Sequence, residues 1–158
     1  MLKVYSPSNC FKHAGKLKSI SDAINANAPT FALLKKETND EFTQSLISMW
    51  LIYLNQLLDL KNPMNEDQIE LCSVTIMNDF YMLKISDLTF VFKEIVAGKH
   101  GKFYERLSIS DILNIFTNYF DERCKVAEEE SIRIHNDMKS DMTFATSKNI
   151  KRILMDKK

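Results

Sequence analysis

The chain predicts an all-α fold, a compact bundle of five to seven helices with a long helix in its C-terminal half. Three observations carry that expectation. Only three Gly and three Pro punctuate 158 residues, too few breakers for many short strands. Apolar residues recur at spacings of three and four over long segments, the period of a helix with one buried face. No set of alternating β-branched segments is present that would build a sheet. Hydrophobic residues at 45% and charged residues at 27% are ordinary for a globular protein, and this length suits a single domain over 1–158 with a self-sufficient core.

Residues 1–18 hold Pro7, Gly15 and four lysines with little periodicity, and are expected to form an irregular basic lead-in. Ser19 or Ser21 is placed to cap a short helix through Ile20, Ala23, Ile24 and Ala28, which Pro29 should end. A second short segment runs from Phe31 to Glu37. The first strong helix is expected from about Asn39 to Leu60, with Asp40 and Glu41 in the first turn, where the positive end of the helix dipole favours them. Phe42, Leu46, Met49, Trp50, Tyr53, Leu54, Leu57 and Leu58 form its apolar stripe. Lys61-Asn62-Pro63 breaks it, and Asn65 with Gln68 three residues on has the form of a capping box. The helix that follows carries Ile69, Cys72, Ile76, Phe80 and Leu83 on one face, with Met77 and Tyr81 beside them.

Ser86 is expected to cap a shorter helix holding Leu88, Val91, Phe92, Ile95 and Val96, closed by Gly98 in the left-handed conformation open to glycine. Ser108 or Ser110 then opens the last long helix, whose apolar face is Ile112, Ile115, Phe116, Tyr119 and Phe120. No breaker intervenes until about Ser140, so about 30 residues at roughly 1.5 Å each reach about 45 Å. A small domain cannot cover that length, and its second half is expected to project and to pair, with a homodimer through residues 110–140 as one form. Residues 142–158 read as a basic tail, with a short helix from Ser147 that turns Ile150, Ile153 and Leu154 inward.

Formal net charge is zero, yet its distribution is uneven. Residues 1–37 carry +4, 38–97 carry −6, 98–125 carry +1, 126–141 carry −3 and 142–158 carry +4. Basic ends thus bracket an acidic middle, either neutralising it or meeting nucleic acid or an acidic partner. Cys10, Cys72 and Cys124 are odd in number and never form a C-x-x-C pair, so neither a disulfide framework nor a zinc site is indicated, and a reducing cytoplasm is the expected compartment. The N-terminus lacks a signal peptide's apolar core. No run approaches the roughly 18 to 20 apolar residues of a membrane span.

The inventory for catalysis is poor. His13, His100 and His135 form no H-x-x-x-H or H-E-x-x-H spacing, and there is no nucleophile elbow, Walker A loop or dinucleotide fingerprint. Cys72 and Cys124 sit in helical patterns and are expected to be inert core thiols. A non-enzyme without cofactor or metal is therefore expected.

One junction stands apart. Gly98-Lys99-His100-Gly101 holds two of the three glycines and leads into Lys102-Phe103-Tyr104-Glu105-Arg106, the densest mixture of cations and aromatic rings in the chain. Read literally it is the G-x-x-G of a KH module, in which glycines admit RNA phosphates and basic side chains clamp them, although the three-stranded sheet of such a module has no candidate strands. Read structurally, Gly98 caps a helix, Gly101 permits a turn, and Phe103 with Leu107 staples that turn to the core. A third reading keeps this geometry and uses Lys99, His100, Lys102, Tyr104 and Arg106 as a contact surface, since Arg and Tyr often anchor interfaces. Arg123 either joins that surface or pairs with a nearby carboxylate such as Asp121 or Glu122. In the tail, Lys148, Lys151 and Arg152 are candidate contacts for a partner or for nucleic acid.

The stretch from Asn65 to Ser131 contains Asn65-Glu66-Asp67-Gln68, Phe80-Tyr81, Asp87-Leu88, Gly98-x-x-Gly101-Lys-Phe-Tyr-x-Arg106, Asp111-Ile-Leu and Tyr119-x-x-x-Arg123. In these features it resembles an uncharacterised helical family of Bacteroidetes phages and mobile elements, over less than half of the chain. The layout is also loosely similar to phage helicase loaders. The resemblance implies a small binding protein of a host or phage nucleic-acid-handling complex: an inhibitor of a host RNA-guided, CRISPR-type nuclease first and a replication adaptor second, while the junction's own residues leave a direct RNA- or DNA-binding module using Gly98–Arg106 third.

Overall fold

The computed structural model describes residues 4–101, 103 and 105–155, with side chains described as far as Lys139. Among these the architecture is all-α, with seven α-helices. The chain's contacts group into two units, Met1–Arg123 and Cys124–Lys158.

The first unit begins with α1 (Pro7–His13), followed by a 3₁₀ turn, Ala14–Lys16. This corrects the expectation of an irregular lead-in. Pro7 stands at the first helical position, where its missing N–H costs nothing. Seven residues are too few to hold a helix alone, so tertiary packing supplies the rest. The Phe11 ring lies 5.9 Å from Trp50 and 5.4 Å from Tyr53, and the Trp50 indole N–H donates to the Tyr5 carbonyl at 3.2 Å. None of this shows in the local periodicity.

Helix α2 (Ile20–Asn25) starts at a reciprocal cap, in which the Asp22 N–H donates to Ser19 Oγ while the Ser19 N–H donates to the Asp22 carboxylate. Helix α3 (Phe31–Glu37) is capped by Thr30. Between them, the Phe31 N–H donates to Leu83 O and the Ile85 N–H to Pro29 O. This isolated bridge is the nearest approach to a strand among the described residues.

Helices α4 (Asp40–Leu58) and α5 (Glu66–Asp79) pack against each other. Asn39 caps α4 at 2.7 Å, and Asn65 with Gln68 forms the capping box expected for α5. The buried face of α4 is Thr43, Leu46, Ile47, Trp50, Leu51 and Leu54. It is rotated from the expected stripe, and Leu57 is exposed, in a helix on which α1, α3, α5 and α6 all pack.

Helix α6 (Ile85–Val96) is the central element. Every residue from Ile85 to Phe92 is buried, as is Ile95. The helix starts one residue before the serine expected to cap it. Ser86 lies inside the helix, buried, and donates its hydroxyl to Ala23 O at 2.8 Å. Helix α7 (Ile109–Met155) opens at Ser108, whose Oγ accepts from the Asp111 N–H while the Asp111 carboxylate accepts from the Ser108 N–H. Ile112, Ile115, Phe116 and Tyr119 complete the core, with the Phe116 ring 5.6 Å from Phe80 and 6.2 Å from Phe92.

The second unit is helical from Cys124 to Met155. The break expected near Ser140 is absent, since residues 140–155 contain no Gly or Pro to force one. Ile132, Ile134 and Met138 are exposed.

Candidate functional site

The α6–α7 junction is built by the way α6 ends. Gly98 sits at φ +76°, left-handed, and its N–H donates to Ile95 O, while the Lys99 N–H reaches back to Glu94 O at 3.0 Å. These bonds satisfy carbonyls that the helix end would otherwise leave open. Gly101, at φ +102°, closes the turn with its N–H on Gly98 O at 3.2 Å. Both glycines therefore have the structural role expected of them. Downstream, Phe103 packs against the core and Leu107 is buried, while the Glu105 carbonyl accepts from the Asn62 N–H at 2.9 Å. The junction is thereby tied to the α4–α5 loop.

Glu94 organises the cations of the turn. Its Oε1 accepts from Lys99 Nζ at 2.6 Å, and its Oε2 lies 3.6 Å from His100 Nε2, an ion pair when the imidazole is protonated. The Lys99 side chain keeps 59% of its surface exposed while that of Glu94 keeps 15%, so the carboxylate lies beneath and the ammonium outside. His100 Nε2 is buried and has no hydrogen-bond partner. Arg106 is exposed and close enough to Asp111 to help hold that carboxyl below its ordinary value; the larger causes are the Ser108 hydroxyl and N–H bonds. Lys102 and Tyr104 lie outside the described residues. So do the side chains of Lys148, Lys151 and Arg152, whose backbone is helical.

Arg123 requires a correction. It is buried, and its Nε donates to Asp87 Oδ1 at 3.1 Å. Its partner is neither Asp121 nor Glu122, and it does not belong to an exposed surface. The Tyr119 hydroxyl donates to the same oxygen at 2.6 Å, and the Lys84 N–H donates to Asp87 Oδ2 at 2.7 Å. Burial and the Asp87 carboxylate together raise the Tyr119 phenol well above its usual range. Asp87 was not among the expected site residues, although an acid within the buried run from Ile85 to Phe92 needs a buried partner. Tyr119 and Arg123, one turn apart on the next long helix, are the residues able to supply it.

Of the thiols, Cys72 is buried and pushed up to about 12 by that burial, an inert core group. Cys124 is exposed, which corrects its expected place in the core. Among the described residues no cluster of His, Cys, Asp and Glu is arranged to hold a metal ion, and no helix is long and apolar enough to cross a membrane. The sheet that a KH module requires is absent among the described residues, so the G-x-x-G window is a helix cap and turn. In comparisons with known proteins, no family model, no curated protein and no solved structure matches this chain.

Proposed function

We propose that this chain is a non-enzymatic phage or mobile-element protein that binds a nucleic-acid-handling protein complex through the α6–α7 junction, acting first as an inhibitor of a host RNA-guided nuclease. The observation that carries the reading is the preorganised exposure of Lys99 and Arg106 on a turn fixed at both ends. Two left-handed glycines and the Ser108–Asp111 cap hold the backbone, and Asn62 anchors its middle. A backbone already held in this way pays less ordering entropy when a partner docks on the cations it carries. Asp87, Tyr119 and Arg123, ionisable groups that converge inside the core, are occupied with one another in the packing, an arrangement suited to holding helices in place.

Glu94 favours a protein partner over direct binding of nucleic acid. It sits under the turn at 2.6 Å from Lys99, where its charge opposes a phosphate. Self-association belongs to the same proposal in a narrower form than residues 110–140, because Ile112, Ile115, Phe116 and Tyr119 face their own core. Pairing would fall to Ile132, Ile134 and Met138.

Affinity capture of the tagged chain from host lysate, with and without nuclease, tests the reading. Subunits of an RNA-guided nuclease, retained after nuclease treatment and lost with a Lys99→Glu/Arg106→Glu variant, are the expected result. A replicative helicase on the same terms would convert the inhibitor into an adaptor. Recovery of nucleic acid alone, with affinity falling steeply as salt rises, would overturn protein binding.

A further inference from the structure

A cavity of about 600 Å³ lies in the first unit between α1, the 3₁₀ turn, the end of α2 and the first turns of α6. That volume is within the roughly 300–1,000 Å³ typical of small-ligand sites. We infer that it binds an amphipathic organic carboxylate, its apolar body inside the cavity and its anionic head at Lys16 and His13. The inference is independent of the function proposed above.

The walls are held apart by long-range bonds from side chain to backbone. Lys84 Nζ donates to Ile24 O at 2.6 Å and to Ala26 O at 3.1 Å. Lys93 Nζ donates to Leu17 O. The Trp50 indole N–H holds Tyr5 at the other side. Ala26 and Ala28 line the space so framed, and their side chains are too short to fill it. The cavity is therefore preformed and does not have to be opened by a ligand.

Its chemistry follows from where the wall's polar groups point. Ser86 Oγ donates to Ala23 O, Thr89 Oγ1 to Ile85 O, Asn25 Nδ2 to Ser21 Oγ and Asn9 Nδ2 to Val4 O. These four donors are engaged within the chain, which leaves the Tyr5 hydroxyl and the second N–H of each asparagine amide on a lining that is otherwise mainly apolar. The one acid on the lining, Asp22, accepts the N–H groups of Lys18 and Ser19 on Oδ2. Lys16 and His13 are on the lining, exposed, and have no ion pair or hydrogen bond among the described residues. An anionic head with an apolar body complements Lys16 and His13, the basic groups of the lining, and gains a charge-assisted contact that a neutral head lacks.

Titration of the full chain with decanoate, decanol and decylamine, by calorimetry and by the fluorescence of Trp50, the single tryptophan, tests the inference. Decanoate is expected to saturate at one per chain, with a Kd lower than those of the alcohol and the amine by about fivefold or more. Lys16→Glu should weaken decanoate by a similar factor and leave decanol unchanged. Ala28→Trp, which fills the cavity, should abolish binding of all three with the helical circular-dichroism signal retained. The absence of saturable binding, equal affinity for all three head groups, or decanoate binding unaffected by Lys16→Glu would each overturn it. The surface variant keeps the test decisive if the filled cavity does not fold.

Discussion

Asp87 Oδ1 accepts the Tyr119 hydroxyl at 2.6 Å, linking the first turn of α6 to α7 inside the core of the first unit. Arg123 donates to the same oxygen and the Lys84 N–H to the other, so the fully buried carboxylate has three donors. Burying such a group is tolerated only with this degree of pairing.

Removing one member of the set should therefore cost more than any surface contact. Arg123→Met, which leaves Asp87 without its cation, is expected to lower unfolding stability by about 3–5 kcal/mol. Tyr119→Phe should cost about 1–3 kcal/mol, the penalty of one lost buried bond. Combining Asp87→Asn with Arg123→Met should cost less than the sum of the two single changes. Urea denaturation measures all of these. A value for Arg123→Met within 0.5 kcal/mol of the parent, the range of ordinary surface changes, would return Arg123 to the exposed surface.

The two junction glycines should differ from the third. A Cβ on Gly98 would meet nothing closer than Gly101 O at 4.0 Å, and one on Gly101 would meet nothing within 4 Å. Space is available, and the cost is the left-handed backbone alone, about 1–2 kcal/mol for each alanine. Gly15 has neither a positive φ nor a crowding neighbour, so Gly15→Ala should be neutral or stabilising by up to about 1 kcal/mol. Thermal melts of the three variants check the contrast, which disappears if Gly98→Ala melts with the parent.

Helix caps offer a third test. Asn65→Ala and Ser108→Ala each remove a side-chain acceptor from a first-turn N–H and should each cost about 1 kcal/mol. Because they serve different helices, the double variant should be additive in denaturant unfolding. Strong coupling would show that the two helix starts form as one unit.

Stability should fall at both ends of the pH scale. Cys72 is raised from an ordinary 9.0 to about 12, so the fold favours its neutral thiol. Its contribution is complete below pH 9 and is lost as pH rises toward 12, at up to about 1.4 kcal/mol per pH unit. Tyr119, raised above its ordinary 10.0, adds a second loss beyond pH 10. Asp22 and Asp111 are lowered below 3.8 by their Lys18, Ser19 and Ser108 bonds. They stabilise the fold above that value and release it as pH falls through their lowered values. Relative to a pH 7 reference, Cys72→Ala should delay the alkaline decline by about one pH unit in denaturation series; an unchanged onset would assign the decline to other groups.

Elements written in local chemistry were legible. Asn39 and Asn65 with Gln68 mark helix starts because the cap and its donor lie three residues apart, whereas the start of α7 stayed open between Ser108 and Ser110 until the Asp111 bonds placed it at Ser108. Gly98 marks an end because only glycine takes φ +76° without strain. What stayed hidden depends on partners distant in the chain. Helix α1 exists because Phe11 meets Trp50 and Tyr53, and the buried face of α4 includes Ile47 and Leu51 in a helix on which α1, α3, α5 and α6 all pack. The site divides in the same way. The junction was visible as a cluster of glycines and cations. Glu94, which orders the cations, and Asp87, which takes Arg123 out of the surface, could be assigned only once α6 was known to face both.

The lysines of α6 also set an order of events during synthesis. Lys84 and Lys93 reach back 60 and 76 residues to the carbonyls of Ile24 and Leu17. A ribosome must therefore extrude α6 before the carbonyls of Leu17 and Ile24 meet their lysines, although α4 already offers Trp50 and Tyr53 to α1. Until then, α2 and the 3₁₀ turn lack these two anchors in the nascent polypeptide, and the hollow that they frame with α6 does not yet exist. Any ligand for that hollow meets only chains that have already grown past Lys93, so occupancy would report completed assembly of this part of the protein.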